Sequence, residues 1–259
     1  MAIVNVTPDS FSDGGVHASA RDAIQACERL IGEGADILDI GGESTRPGSP
    51  ALPLDEELAR VLPVLTEAVK LGVPISIDTY KPEVMRVALD LGVDIVNDVW
   101  ALRQPGAREA VASHRSCGVC LMHMHRDPQT MQTMPMEGEV VSALLSFWET
   151  QVAALRALHV APDRVCLDPG IGFGKTVAQN FALLARQREL LAAGHPLLCG
   201  WSRKSSLGAV TGIDAARDRA LPSVVAAVLA VERGASIVRV HDVRDTVSAF
   251  AVWRAARGA

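Results

Sequence analysis

Short apolar runs recur along the chain, each after a segment with helical periodicity. Five of them closely follow a glycine: Asp36–Ile40 after Gly34, Val73–Ile77 after Gly72, Val93–Val96 after Gly92, Pro196–Cys199 after Gly194, and Ser236–Val240 after Gly234. Glycine adopts the left-handed conformation that ends a helix, and near-continuous apolar runs are typical of strands buried on both faces of a parallel sheet. The pattern therefore predicts strands that alternate with helices.

Three more apolar runs, Ala2–Val6, Gly118–Met122 and Val165–Leu167, bring the predicted strands to eight. The helical period is clearest before Val73, where one face carries Leu58, Val61, Leu62, Leu65 and Val69. Eight strand–helix units in 259 residues, without a long linker, predict one domain over residues 1–259. The expected architecture is an α/β fold, a single (β/α)8 TIM barrel.

Polar residues follow almost every predicted strand. They are Asn5, Asp39, Asp78, Asn97, His123, Asp168, Ser202–Lys204, Arg239 and His241. Such barrels carry their active sites at the C-terminal ends of the strands. Asp and Asn also cap helices, but Asp39 and Asp168 are each followed by glycine-containing turns rather than by helices. We interpret the ring of polar residues as a binding site.

Composition narrows the class of ligand. Hydrophobic residues make up 49% of the chain and charged residues 21%, which suits a large buried core. The net charge of −5 argues against nucleic acid as a partner, so an anionic ligand needs a local cluster of cations. No apolar run reaches the roughly 18 residues of a membrane span. The five scattered cysteines fit a reduced, cytoplasmic protein, and the isolated Cys117–Cys120 spacing is weak evidence for a redox or metal site.

Two motifs resemble known sites without matching them. The loop Gly170–Thr176 is rich in glycine, but Pro169 breaks the Walker pattern and Lys175 breaks the dinucleotide fingerprint. His123 and His125 alternate as a pair of metal ligands would, yet no further histidine accompanies them at neighbouring strand ends. We expect these histidines to support the site rather than to bind metal.

Longer strings resemble a known family. Asn5–Gly15 and Asp39–Gly48 are similar to the first two signatures of the dihydropteroate synthases. The match continues in order through Ile77–Pro82, Asn97–Asp98, Leu121–Met124, Asp168–Lys175, Ser202–Ser205 and Arg239–Asp242. The resemblance implies a TIM barrel that joins 6-hydroxymethyl-7,8-dihydropterin diphosphate to p-aminobenzoate. The products are 7,8-dihydropteroate and pyrophosphate, and the step belongs to folate biosynthesis.

The resemblance also implies three groups of site residues. The pterin would contact Asp78, Asn97, Met122, Asp168, Gly172, Lys204 and Arg239. Pyrophosphate would contact Asn5, Thr45, Arg46, Arg239 and His241. The p-aminobenzoate pocket would contain Phe11, Pro47, Lys204 and Ser205. The residues expected to be catalytic are Lys204, Arg239 and Asp78.

These roles are chemically sensible. Asp168 can accept from two adjacent N–H groups of an aminopyrimidinone edge, Asn97 can donate and accept, and the flat guanidinium of Arg239 can lie over the ring. Mg2+ prefers oxygen ligands, so Asn5 with water is the expected cradle for a magnesium-bound pyrophosphate. The electron-rich dihydropterin allows dissociative loss of pyrophosphate, and the aryl amine then attacks without a protein nucleophile.

Two rival functions remain at this stage. A pterin-dependent methyltransferase barrel also grips pterin with Asp and Asn, but it does not need Thr7–Ser12 or the Ser202–Ser205 motif. A non-catalytic paralogue would be expected to lose some contacts for the anion or the aminobenzoate. The resemblance further implies a sulfonamide target and a homodimer built from the late helices.

Overall fold

Eight short parallel strands alternate with helices in the structure, a computed structural model that describes residues 1–6, 15–44, 51–131 and 133–258. The strands are β1 (Ala2–Asn5), β2 (Leu38–Gly41), β3 (Ile75–Asp78), β4 (Ile95–Asp98), β5 (Gly118–Met122), β6 (Val165–Asp168), β7 (Leu198–Cys199) and β8 (Ile237–Val238). Every predicted strand is present, so the prediction of an alternating α/β fold is confirmed.

The strands follow chain order around the ring. Strands β1 to β6 form one parallel sheet, and β7 pairs with β8 in a second. Isolated parallel bridges join the two sheets, one between Leu167 and Leu197 and the other between Ala2 and Val240. The strands β7 and β8 are shorter than predicted because regular pairing is confined to two residues in each. The ring therefore closes through single bridges rather than through full ladders.

Helices lie between the strands. They are α1 (Gly15–Gly32), α2 (Leu54–Ala68), α3 (Pro82–Asp90), α4 (Ala107–Ser113), α5 (Val140–Ala157), α6 (Val177–Ala185), α7 (Gln187–Leu190), α8 (Ser205–Thr211), α9 (Ala220–Glu232) and α10 (Val243–Gly258). The five glycines predicted to end helical segments all have positive φ, between 74° and 100°. Short 3₁₀ turns cover Pro162–Arg164, Leu191–Ala193 and Ala216–Asp218.

The packing of α2 shows how the apolar period is used. Val61 and Leu65 are fully buried as predicted, whereas Leu58, Leu62 and Val69 are only half-buried and Val64 is buried instead. The buried face follows a spacing of three and four residues that begins at Glu57, whose side chain is also buried. The carboxylate of Glu57 is paired with residues of the loop after β3, so the buried face of α2 includes this charged residue.

The lower barrel interior is apolar. Met1, Cys120 and Leu198 are buried together there, packed against Ile37, Cys166 and Ile237. All five cysteines of the chain are free, and only Cys166 is less than fully buried. The cysteines therefore pack as small core side chains, and the polar residues predicted to form the site lie toward the opposite, C-terminal ends of the strands.

The glycine-rich loop after β6 is locked against the end of β5. Lys175 donates from Nζ to the backbone oxygens of His123, Gly170 and Phe173 at 3.2, 2.9 and 3.2 Å. The loop ends where Thr176 and Gln179 form a reciprocal capping box at the start of α6. Lys175, which breaks the nucleotide motifs, is thus a buried tie between two strand ends.

Gly170 makes the closest approach in this loop. Its φ is +62°, and a Cβ there would lie 2.0 Å from the backbone oxygen of His123. We expect Gly170→Ala to lower the free energy of unfolding by the left-handed backbone penalty of about 1–2 kcal/mol. The steric clash adds a further ~1–3 kcal/mol. Thermal and denaturant unfolding measure the loss.

Gly212 provides the matched control. Its φ is +72°, but nothing lies within 4 Å of a Cβ built there. Gly212→Ala should therefore cost only the backbone penalty of about 1–2 kcal/mol. Equal losses in the two variants would show that the close approach at Gly170 carries no energetic weight.

Candidate active site

The strand ends bring the predicted polar residues together. Ladder pairing places Asn5 beside Gly41, Gly41 beside Asp78, and Asp78 beside Asn97 across β1 to β4. The same pairing sets Met122 beside Asp168 on β5 and β6. Residues that are separate in sequence therefore line one end of the barrel.

Arg239 joins two other strands at this end. Its Nε donates to Oδ2 of Asp39 at 2.5 Å, and its Nη2 donates to Oδ2 of Asp78 at 2.6 Å. Burial opposes the charged form of Arg239, but Asp39 and Asp78 outweigh it and raise the pKa. The guanidinium stays charged and is held in one plane by bonds to two strands.

Asp39 has a second partner. The Nδ2 of Asn97 donates to the same Oδ2 at 3.0 Å, and the Asp39 side chain is completely buried. A single carboxylate oxygen thus fixes a pterin candidate on β4 and another just after β8. Asp39 lies in the polar ring seen in the sequence, but no role was predicted for it, because its function depends on these two contacts.

Two acceptors at this end have no hydrogen-bond donor among the described residues. They are Oδ1 of Asp39 and Oδ1 of Asp78, both buried. Burial raises the pKa of Asp78 to about 7, against the opposing effect of Arg239. A buried acceptor without a donor costs about 1–3 kcal/mol, which a ligand with N–H groups would remove.

Asp168 offers a further carboxylate. Its Oδ1 accepts from the backbone N–H of Gly170 at 2.7 Å. Burial raises the pKa of Asp168, and Lys204 and Arg239 oppose that rise. The other oxygen accepts no hydrogen bond from the described residues, so Asp168 is ready to receive donors from a ligand.

Lys204 reaches the same place from the loop after β7. Its Nζ lies 4.3 Å from the ring centroid of Phe173, and a Cβ on Gly172 would lie 3.5 Å from its Cδ. Burial lowers the pKa of Lys204 to about 8, while Asp168 opposes the shift. Ser205 follows as the exposed first residue of α8.

An apolar wall adjoins Lys204. Met122, Met124 and Phe173 pack together there with Val99 and Met131. A flat ring with a polar edge would meet carboxylates and an amide on one side and this wall on another. Met122 thus belongs to an apolar cluster at this end of the barrel, and Gly172 lies beside Lys204.

The loops after β7 and β8 are tied to each other. Ser202 Oγ lies 2.9 Å from Nδ1 of His241, and Arg203 binds Asp242 through two hydrogen bonds of 3.2 and 2.6 Å. With Lys204 and Arg239 nearby, these loops supply the local cluster of cations that an acidic chain needs for an anionic ligand. Burial first, and then Arg203 and Arg239, lower the pKa of His241 to about 3.

Four predicted residues lie outside the described part of the chain. They are Phe11, Thr45, Arg46 and Pro47. The residues just before Thr45, in the loop after β2, are anchored. Lys81 forms ion pairs with Glu43 of this loop and with the buried Glu57. Thr79 also donates to Glu57 at 2.7 Å, so the loops after β2 and β3 share one charged anchor.

His123 serves packing. Its ring meets Phe147 edge-on with centroids 4.9 Å apart, and burial, helped by Lys175 and Arg103, lowers its pKa to about 2. Within residues 1–6, 15–44, 51–131 and 133–258, no group of three or more His, Cys, Asp or Glu side chains could hold a metal ion. The supporting role expected for His123 is consistent with this environment.

No role was predicted for Lys175 or for Ser202, although Ser202 lies in the polar ring seen in the sequence. The signal for Lys175 was a charged residue inside a glycine-rich loop, interpreted only as a departure from nucleotide motifs. The signal for Ser202 was its position two residues before Lys204, but its partner lies 39 residues further along the chain. Sequence alone does not reveal that pairing.

Comparison with known proteins identifies the class that this fold and site define. The family described as "Pterin binding enzyme" matches residues 1–241, so the chain belongs to the pterin-binding enzymes. A dihydropteroate synthase from Neisseria meningitidis serogroup C is 50% identical over 258 residues, which covers 98% of this chain and 91% of that protein. Within the family, the chain belongs with the dihydropteroate synthases.

Solved structures agree in fold. The Xanthomonas albilineans dihydropteroate synthase with 4-aminobenzoic acid has a TM-score of 0.94 at 48% identity and covers 100% of this chain and 93% of its own. The Burkholderia cenocepacia enzyme complexed with 7,8-dihydropteroate has a TM-score of 0.91 at 50% identity, covering 100% and 91%. The barrel predicted from the sequence is confirmed by these neighbours.

In the described residues, no helix combines the length and apolar character needed to cross a membrane.

The contacts of Asp39 generate a test. Asp39→Asn should weaken the binding of a pterin analogue at least roughly tenfold, because Arg239 and Asn97 lose the carboxylate that positions both. It should also lower the melting temperature, since removing one member of a buried ion pair costs about 3–5 kcal/mol. Calorimetric titration and thermal unfolding measure the two effects.

Asp94→Asn is the control for this variant. Asp94 accepts from the backbone N–H of Ile75 at 2.9 Å, at the opposite ends of the strands. It should leave pterin affinity unchanged. If folded Asp39→Asn binds the analogue as tightly as the wild type, Asp78 alone is sufficient to hold Arg239.

Proposed function

We propose that the protein joins 6-hydroxymethyl-7,8-dihydropterin diphosphate to p-aminobenzoate and releases 7,8-dihydropteroate and pyrophosphate. This is the reaction of a dihydropteroate synthase in folate biosynthesis. The observation that carries the proposal is the arrangement of Asp78, Asn97 and Asp168 around Arg239 at the C-terminal end of the barrel. Its membership among the dihydropteroate synthases supports the same activity.

The acceptors of the site suit the polar edge of a pterin. Asp168 accepts from the adjacent N–H groups of the aminopyrimidinone edge, and Asp78 accepts from another part of the ring. Asn97 both accepts and donates, with one amide hydrogen already given to Asp39. A ligand without these donors leaves buried carboxylates unpaired, which excludes it more strongly than shape alone does.

The cations of the site suit the reaction at the exocyclic carbon. Arg239 lies flat over the pterin ring because two carboxylates hold its plane. Lys204 donates to the pterin carbonyl or to a ring nitrogen. Its pKa of about 8 keeps the amine mostly protonated near neutral pH. Asp78, Lys204 and Arg239 thereby orient the ring while the bond to pyrophosphate breaks.

Pyrophosphate leaves toward the cations of the loops after β7 and β8, where His241 and Arg239 lie, with Thr45 and Arg46 proposed to complete the place. Asn5 fits a magnesium cradle of one protein oxygen plus water. It lies half-buried at the end of β1, and its side chain makes no hydrogen bond with the described residues. When bound, Mg2+ would neutralise the developing charge on the pyrophosphate oxygens.

The second substrate is proposed to lie beside Lys204. Ser205 is exposed at the start of α8, where its hydroxyl and backbone N–H can receive a carboxylate. Phe11 and Pro47 are proposed to complete the aminobenzoate pocket. Sulfonamides copy the aniline ring and the acidic group, so they would compete for this pocket and not for the pterin place.

We further propose that two copies associate through the late helices. The helix α9 exposes Leu221, Val225 and Leu229 at a four-residue spacing, and Val210 on α8 is also exposed. An exposed apolar stripe of this kind favours a self-complementary interface around a two-fold axis, which sedimentation velocity can test. The five free cysteines support a reducing, cytoplasmic location.

A pyrophosphate-release assay tests the reaction. Mixing both substrates with Mg2+ should release pyrophosphate, and omitting p-aminobenzoate should suppress the formation of dihydropteroate. Asp168→Asn should abolish most of this activity, since an amide N–H would face the donors of the pterin. The loss in pterin affinity should be about 1–3 kcal/mol or more, roughly fivefold to more than a hundredfold.

Asp163→Asn is the matched control, because Asp163 is exposed in the 3₁₀ turn at the other end of β6. It should be fully active. A wild type that binds pterin but never releases pyrophosphate would favour the non-catalytic paralogue. Transfer of a methyl group from a methylated pterin would favour the methyltransferase.

The assignment of Asn5 leads to a separate expectation. Asn5→Ala should raise the Mg2+ concentration needed for half-maximal turnover several-fold, because one protein oxygen near the metal is lost. Its affinity for a pterin without the diphosphate should be unchanged. Titration of Mg2+ in the pyrophosphate assay measures the first effect and calorimetry the second. An identical Mg2+ response in both proteins would contradict the role of Asn5.

A further inference from the structure

The hydroxyl of Ser202 makes two contacts with one residue. Its Oγ accepts from the backbone N–H of His241 at 3.1 Å and lies 2.9 Å from Nδ1 of the same imidazole. Ser202 is 7% exposed, so water does not readily replace a missing partner. The direction of the Ser202 hydroxyl hydrogen therefore decides whether Nδ1 of His241 is an acceptor or a donor.

The hydroxyl hydrogen of Ser202 needs an acceptor. The backbone N–H already supplies a hydrogen to Oγ, and among the described residues the only acceptor in reach of the hydroxyl hydrogen is Nδ1. If Nδ1 carried a hydrogen, Oγ would accept twice and its own hydrogen would be buried without an acceptor. Such an unpaired buried donor is unfavourable. The favoured arrangement has Ser202 donating to an unprotonated Nδ1.

We propose that Ser202 is a positioning residue that fixes His241 as the neutral tautomer with its hydrogen on Nε2. In this tautomer Nε2 is a donor, and it can hydrogen-bond an oxygen of the departing pyrophosphate. The part concerning pyrophosphate rests on the proposed function, whereas the tautomer itself does not.

The charges around His241 explain why the tautomer matters. Burial opposes protonation of the ring and lowers the pKa of His241, and the positive charges of Arg203, Arg239 and Lys204 lower it further. Asp242 favours protonation, but its carboxylate is engaged by two hydrogen bonds from Arg203. The imidazole is therefore neutral and carries one hydrogen. With the other tautomer, Nε2 would present a lone pair to the anion and repel it.

Ser202 could instead serve only to tie two loops together, so the test needs a measurement that a tie alone would not change. Nitrogen-15 NMR of the histidine-labelled protein distinguishes a protonated ring nitrogen from an unprotonated one. The wild type should show His241 with hydrogen on Nε2, and Ser202→Ala should show a mixture of tautomers. The affinity for inorganic pyrophosphate, measured by calorimetry, should fall roughly tenfold in Ser202→Ala.

Two further variants complete the design. Ser202→Thr keeps the hydroxyl and should restore both the tautomer and the affinity. Ser223→Ala removes a buried hydroxyl of α9 that accepts from the backbone N–H of Arg203, in the loop after β7, at 2.8 Å, and it should leave the tautomer of His241 unchanged. This control separates general loosening of the loops from the specific contact with the ring.

The outcomes are decisive in either direction. Hydrogen on Nδ1 in the wild type would overturn the proposal without any variant, even if Ser202→Ala failed to fold. An unchanged tautomer and unchanged pyrophosphate affinity in folded Ser202→Ala would also overturn it. Failure of the wild type to release pyrophosphate from its substrates would instead defeat the proposed function, while the NMR result would still decide the tautomer.

Discussion

The ion pairs of Arg239 with Asp39 and Asp78 are the interaction on which the rest of the site depends. They join the end of the barrel at β8 to β2 and β3, and the hydrogen bond from Asn97 to Asp39 adds β4. Buried ions are costly to remove from water, and their mutual attraction offsets that cost only when the geometry is good. A ligand that lies against Arg239 therefore meets a cation whose position is already fixed.

The same end of the barrel carries a local cluster of cations although the chain as a whole is acidic. The net charge is −5, yet Lys204, Arg203 and Arg239 converge near His241. In the proposed reaction, the carboxylates that hold Arg239 would serve the uncharged pterin edge, and the loops after β7 and β8 would face the leaving anion. The two signs of charge lie on different strands, which suits a site proposed to bind both a neutral heterocycle and an anion.

Much of the fold could be predicted because it follows from local patterns in the sequence. The apolar runs, five of them after a glycine, located all eight strands, and the polar strand ends located Asp78, Asn97, Asp168 and Arg239. The pattern did not predict that Val64 rather than Leu62 is buried on α2, because this depends on packing. It also did not predict the two-residue lengths of β7 and β8, which depend on strand pairing.

The roles of Asp39, Lys175 and Ser202 were not predictable for a related reason. Asp39 acts on a residue 200 positions away, and Lys175 donates to the backbone carbonyl of His123, which lies 52 positions earlier. Each side chain is ordinary in its local sequence. Its function exists only where distant strand ends meet.

The short strands at the closure of the ring have a consequence for how the site can evolve. Because β7 and β8 share only two residue pairs, the loops that follow them are held in place chiefly by side chains, Ser202 with His241 and Arg203 with Asp242. A substitution in one of these pairs would change the geometry of the proposed anion site without removing a rung of the main sheet. Side chains of these two loops can therefore change during evolution while the barrel continues to fold.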